Sequence, residues 1–423
     1  MAAAKDEARM GGGTTAVVTL VFCFLTAVIE GIDLQSMGIA APSLKPEFGL
    51  DNGQLGWILA ASPIGLFFGS FFGGRLADFF GRKAALVGSM LVFGVFQLTT
   101  VWAPNYEVLG AIRLLCGLGL GGALPNLIAL TSEAASGKSR IVSVVITAAG
   151  MPVGGGLASA IMFFEGAGAD WRTVFYIGGI APLVLAPLIA LALPESHMFK
   201  AAKAAEAASG VAARKVGAFT ALFGESRAIA TLLIWIAMLF TTIVTYLLLN
   251  WLPVLMVAKG FTKPEASFIQ IWFNLGAAAG SIALGWLMER LMAAKPETRD
   301  HQGRMVLFFC YAGLAVSLVG LTAITNNLTL ASIAVAVTGA FLLGAQYIVY
   351  GLTPFYYRTT SRGTGTGAGV ASGRLGSAVG PMLAGMLLGA GQSTTQVLQA
   401  MFPVVGVAAV AAILLMFRKQ VDE

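Results

Sequence analysis

"AVVTLVFCFLTAVIEGIDLQSMGIAA", residues Ala16 to Ala41, is an apolar run of 26 residues interrupted by two charges, Glu30 and Asp33. Wound as an α-helix at about 1.5 Å per residue, such a run outreaches the roughly 30 Å of hydrocarbon in a bilayer. Runs of this kind recur along the chain. They predict helices at 16–41, 54–74, 84–102, 108–131, 141–164, 172–193, 228–256, 265–291, 305–325, 328–350, 364–390 and 396–417. A helix satisfies its own backbone groups in lipid, so the fold class is an all-α membrane protein with twelve transmembrane helices.

Composition agrees with that reading. Of 423 residues, 57% are hydrophobic and 11% charged, against about 25% charged in an ordinary soluble domain. The 53 glycines suit helices that associate in lipid through small residues. Cys23, Cys116 and Cys310 all fall within apolar runs and are read as packing residues. The short N-terminal "MAAAKDEARMGGGTT" has mixed charge, and the run after it is too long for a signal-peptide core, so the first helix is expected to remain in the mature protein.

Between the sixth and seventh helices lies a polar, Ala-rich, basic stretch, "PESHMFKAAKAAEAASGVAARKVGAFTALFGESR". It divides the chain into an N-terminal six-helix half (1–193), a linker (194–227) and a C-terminal six-helix half (228–423). Of the 26 Lys and Arg residues, 20 fall on the side shared by the termini and the linker, and only Lys45, Arg172, Lys259 and Lys263 on the other. The positive-inside rule then places both termini and the linker in the cytoplasm. The net charge of +6 follows from topology and calls for no nucleic-acid partner.

Enzymatic readings find little support. "GLGLGG", Gly117 to Gly122, lacks the preceding strand of a dinucleotide fingerprint and is read as a helix-packing face. "SGKS" has Ser132 where a phosphate-binding loop needs glycine. His197 and His301 sit in cytoplasmic loops, and no acid-base or metal cluster accompanies them, so neither catalysis nor a metal site is expected.

Four charges within helices are the better lead, since each costs at least roughly 2.5–3.5 kcal/mol near the bilayer centre. These are Glu30 and Asp33 on the first helix, Arg113 on the fourth and Arg374 on the eleventh. Glu30 and Asp33, three apart, share one helix face. Two carboxylates in poorly solvated surroundings disfavour double ionisation, so the pair is expected to carry a coupling proton as a unit. Two roles stand open for Arg113 and Arg374. They could neutralise these carboxylates structurally, or a guanidinium could take a substrate carboxylate bidentately. Apolar walls with a few polar groups are expected from Gln35, Asn126, Tyr246, Asn250, Trp251, Gln270, Asn274, Gln346, Tyr347 and Tyr350.

The loop after the second helix, "GGRLADFFGRKAAL" (Gly73 to Leu86), resembles the G-x-x-x-D-x-x-G-R-[RK] signature of the major facilitator superfamily. Read physically, it is a tight basic turn in which Gly74 and Gly81 permit close approach and Asp78, Arg82 and Lys83 serve conformational gating. A degraded copy in the second half retains Gly285, Glu289, Arg290, Gly303 and Arg304. "EGIDLQSMGIAAPSL", "RLLCGLGLGGALPNLIALTSEAA", "NWLP" and "GRLGSAVGPMLAG" are similar to segments of the aromatic acid:proton symporters. That family's loop after helix ten is shorter than "PFYYRTTSRGTGTGAG" here, so Arg358 or Arg362 could hold the gate position, and Glu133 is a further gate charge.

The resemblance implies the major facilitator fold and proton-coupled import of an aromatic carboxylate, such as 3-(3-hydroxyphenyl)propionate or a hydroxybenzoate. It further implies a multi-pass protein of the bacterial inner membrane, monomeric, with protons and lipid as partners and no cofactor beyond the proton gradient. The rival is a proton-coupled efflux antiporter for aromatic or amphipathic compounds. Such exporters carry G-P-x-x-G-G in helix five, whereas "GMPVGGG", Gly150 to Gly156, displaces the proline.

Overall fold

The computed structural model describes the backbone of residues 2–134, 139–168, 170–193, 195, 218–224, 227–292, 296–324, 326–358 and 361–418. Its long helices are α1 (Ala2–Glu47), α2 (Asn52–Phe80), α3 (Arg82–Thr99), α4 (Tyr106–Ala134), α5 (Ser139–Glu165) and α6 (Arg172–Ala192). There follow α7 (Ala228–Ala258), α8 (Lys263–Met292), α9 (Pro296–Ala323), α10 (Leu328–Leu352), α11 (Arg362–Gly389) and α12 (Thr394–Leu415). Among the described residues ten runs are long and apolar enough to cross a membrane. The other two helices, α2 and α11, have 29 and 28 residues and are diluted by Gly, Ser and Pro. Outward-facing side chains such as Phe164 and Leu191, 81% and 85% exposed, would be untenable as a large patch facing water and suit a lipid surface. Most of the expected linker, 196–217, lies outside the described residues, apart from a short helix that ends it at Ala218–Phe223.

Several boundaries differ from the sequence reading, beginning with α1, expected at 16–41, which runs from Ala2 to Glu47 with Pro42 and Pro46 inside it. The expected turn from Gly74 is not there, because α2 continues through Phe80 and the chain reverses at Gly81 alone, whose φ of +98° suits glycine. On the far side, α9 starts at Pro296 rather than near 305, proline at a helix start losing no hydrogen bond there. Helices need not stop where the hydrocarbon does.

Two compact units are present. The first comprises residues 1–36, 64–155 and 172–213; the second comprises 37–63, 156–171 and 214–423. In the first unit Gly65, Gly69 and Gly73 of α2 press on Leu114, Leu118 and Gly122 of α4, where a β-carbon would collide with backbone. Gly121 packs against Leu66 and Ser70, so the "GLGLGG" run is a packing face as read. Gly31 of α1 and Gly150 and Gly154 of α5 meet in the same way. The second unit repeats both arrangements, with Gly276 and Gly280 of α8 on Ala336 and Ala340 of α10, and Gly376 and Gly380 of α11 on Leu239 and Ile243 of α7. Small residues every fourth position thus hold each pair of helices backbone to backbone.

Among the described residues, three of the four cations that the charge count sets apart donate hydrogen bonds at helix ends. Lys259 donates to the carbonyls of Leu321, Thr322 and Ile324 at 3.0, 3.0 and 3.1 Å, capping α9. Within the first unit Arg172 Nε donates to Val101 O at 3.4 Å. Lys45 reaches Asn52 Oδ1 at 2.5 Å, and the Asn52 amide donates to Leu388 O at 3.2 Å.

Candidate functional site

In the first unit the polar centre is built on α1. Glu30 and Asp33 are both fully buried. Asp33 Oδ1 lies 3.3 Å from Arg113 Nη1 of α4, and the same oxygen accepts from the Cys116 thiol at 3.2 Å. Arg113 Nη1 also donates to Gln97 Oε1 of α3, and the Gln97 amide donates to Ser36 Oγ at 3.3 Å. Ser36 in turn donates to Ile32 O, closing the chain on α1. The guanidinium carbon stands 5.6 Å from the Phe175 ring centre on α6. Three helices therefore aim polar groups at one ion pair and a fourth covers it with an aromatic ring, and a buried charge pair needs such extra hydrogen bonds to be tolerated. Gln35, also buried, packs over Gly155, whose missing side chain makes room for the amide. Asn126 donates back to Gly122 O of its own helix at 2.8 Å.

In the second unit Arg374 is 8% exposed, and its Nη1 lies 3.5 Å from the Tyr246 hydroxyl on α7. Among the described residues no carboxylate comes within 4.0 Å of its guanidinium. In the same unit, Thr245 Oγ1 donates to Gln346 Oε1 at 2.7 Å, and Gln346 Nε2 to the Tyr350 hydroxyl at 3.5 Å. Tyr347 stacks at a tilt beside Tyr350, ring centres 6.3 Å apart.

Other expected lining residues have hydrogen bonds that hold helices. Asn250 and Asn274 each donate to the carbonyl four residues back, Tyr246 O at 2.9 Å and Gln270 O at 3.0 Å. The fully buried Trp251 donates its indole N–H to Pro381 O at 3.0 Å. Gln270 Nε2 approaches Leu249 O at 3.5 Å, the carbonyl that Pro253, lacking an N–H, leaves without its helical partner.

Of the gating candidates, Lys83 donates its backbone N–H to Glu195 Oε1 at 3.0 Å at the start of α3, and Arg82 is partly buried. Arg358 is exposed, while the side chains of Asp78, Glu133 and Arg362 lie outside the described residues. At the start of α11, Arg227 Nη1 donates to Ser361 Oγ at 2.7 Å, tying the end of the linker to that loop.

Sequence reasoning missed Gln97, Ser36 and the role of Cys116. Gln97 carries a usable signal, a lone amide in an apolar helix. Thr245, which fixes the Gln346 amide, gave none, because threonine is common in such helices.

Residues 23–299 match the family model described as Major Facilitator Superfamily, in keeping with the twelve long helices among the described residues and the one-residue turn at "GRK". The chain belongs to the major facilitator superfamily. Its sequence is 42% identical over 405 residues to the 3-(3-hydroxy-phenyl)propionate transporter of Escherichia coli strain K12, covering 95% of this chain and 94% of that one. It is 33% identical to the 4-hydroxybenzoate transporter PcaK of Pseudomonas putida, covering 93% and 91%. In fold it resembles the D-xylose-proton symporter, with a TM-score of 0.73 at 16% identity and coverage of 94% and 97%. Relatives and family alike are membrane transporters, so this chain is a multi-pass transporter and not an enzyme.

Proposed function

We propose that the chain imports an aromatic carboxylate, of the hydroxyphenylpropionate or hydroxybenzoate kind, together with protons across the bacterial inner membrane. The observation that carries this reading is Arg374, a buried cation with a phenol beside it and no described carboxylate within 4.0 Å. An uncompensated guanidinium in an apolar helix is costly. A substrate carboxylate would supply the missing charge and fit its planar fork. Relatives that carry hydroxylated aromatic acids support the substrate class.

For the proton, Glu30 is the preferred carrier. Asp33 already has Arg113 as counter-ion at 3.3 Å, and protonating it would leave a buried guanidinium uncompensated. Loading a proton lowers the cost of admitting an anionic acid. Release to the more alkaline cytoplasm then drives the cycle, the two six-helix halves alternating around a midplane site. Asp78, Arg82, Lys83, Glu133 and one of Arg358 and Arg362 would bias that alternation from the cytoplasmic face, where both termini are assigned.

The test is uptake of labelled aromatic acids into proteoliposomes with and without an imposed pH gradient. Accumulation when the lumen is the alkaline side supports symport. Accumulation driven only by the opposite gradient would make the chain an exporter.

A further inference from the structure

We infer that the second unit contains a subsite for a ring hydroxyl of the substrate, formed by Thr242, Tyr350 and the bare backbone of Gly373; this rests on the proposed carriage of aromatic acids. Three observations converge on it. Thr242 is 2% exposed, yet its hydroxyl has no hydrogen-bond partner among the described residues, and a buried polar group without one is rare and costly. Tyr350, one helix away, takes the Gln346 amide N–H on its oxygen at 3.5 Å, which leaves its own proton free to be donated. Gln346 is held in that orientation by Thr245 at 2.7 Å. The two hydroxyls are not bonded to each other, but both border the same point over Gly373. A β-carbon placed there would lie 3.0 Å from the Tyr350 hydroxyl and 3.2 Å from Thr242 Oγ1.

A phenolic hydroxyl is the group that this arrangement matches. It can accept from Tyr350 and either donate to or accept from Thr242, satisfying both at once, which a methyl cannot do, while the substrate's carboxylate is drawn to the Arg374 guanidinium. Placement agrees with the carboxylate site. Gly373 immediately precedes Arg374, and Thr242 lies four residues, about 6 Å along the helix, from Tyr246, whose hydroxyl is 3.5 Å from Arg374 Nη1. An acid group on Arg374 and a hydroxyl over Gly373 would then be read by residues one turn apart on α7 and consecutive on α11. A site built to hydrogen-bond a hydroxyl rejects an analogue lacking it far more strongly than an apolar pocket rejects an extra methylene.

The experiment measures binding of two labelled acids to the purified transporter, 3-(3-hydroxyphenyl)propionate and 3-phenylpropionate, and reads the ratio of their affinities. The wild type is expected to favour the hydroxylated acid by ten-fold or more, and Thr242→Val and Tyr350→Phe each to reduce that ratio several-fold. Gly373→Ala, which puts a methyl into the subsite while improving helix propensity, should bring it near one. Reading a ratio separates loss of the subsite from damage to the whole site. A wild-type ratio near one, or variants that weaken both acids by the same factor, would overturn the subsite. The same pair of measurements is made with 4-hydroxybenzoate and benzoate, and failure of the wild type to bind any of the four acids would instead overturn the proposed substrate class.

Discussion

Arg113 Nη1 and Asp33 Oδ1 stand 3.3 Å apart with both side chains withdrawn from solvent, joining α4 to α1 inside the first unit. Removing one member leaves the other charge buried, a loss of roughly 3–5 kcal/mol, whereas replacing both by apolar residues is often neutral. Arg113→Met is therefore expected to lower the melting temperature of the purified protein sharply, and Arg113→Met with Asp33→Leu to recover much of the loss. If the double variant is as unstable as the sum of the singles, the pair is not an isolated unit and the surrounding Gln97 and Cys116 bonds dominate.

Glu195 supplies what α3 lacks at its start. The N-cap residue is Gly81, which offers no side-chain acceptor, and the Glu195 carboxylate takes the Lys83 N–H at 3.0 Å in its place. Replacing an acceptor at a helix N-terminus costs about 0.5–2 kcal/mol. Glu195→Ala should show a loss of that size in thermal stability, with Glu195→Gln restoring part of it. Gly81→Ala, at φ +98°, is expected to destabilise the same turn through backbone strain. An unchanged melting curve for Glu195→Ala would mean that water replaces the carboxylate at no cost.

The helices were legible because twenty-residue apolar runs have few alternatives in lipid, and the four intrahelical charges stood out against them. Contacts were not. That Asp33 rather than Glu30 faces Arg113 depends on how α1 and α4 are rotated about their axes, which the glycines at 31, 65, 69 and 73 set through close packing. Residue type alone therefore left Arg113 open between pairing and capture. The end of α2 was misplaced for a local reason, since Leu76, Ala77, Phe79 and Phe80 continue a helix as readily as they leave one. Gln270 showed the reverse, as its position opposite Leu249 could be understood only once Pro253 lay inside α7.

Arg374 is proposed to recognise the substrate carboxylate, so Arg374→Lys should weaken binding ten-fold or more although the charge is kept, because the bidentate fork is lost. The measurement compares an aromatic acid with its neutral amide. Selective loss for the acid supports carboxylate recognition. An equal factor for both would assign Arg374 a structural role beside Tyr246.

Glu30→Gln tests the proton pathway most directly. Glutamine has nearly the shape of a protonated glutamate but cannot release the proton, so the variant is fixed in the loaded form. Substrate exchange across a membrane with no gradient needs only that this form bind and alternate, and it should stay within a few-fold of wild type. Uphill accumulation needs the proton to leave on the alkaline side, and it should vanish. Asp33→Asn is expected to behave differently, because it removes the counter-ion of Arg113 3.3 Å away and so should depress exchange and accumulation together. The comparison is made in proteoliposomes, reading counterflow and gradient-driven uptake from the same preparation. Should Glu30→Gln still concentrate substrate with the lumen alkaline, the coupling proton travels elsewhere.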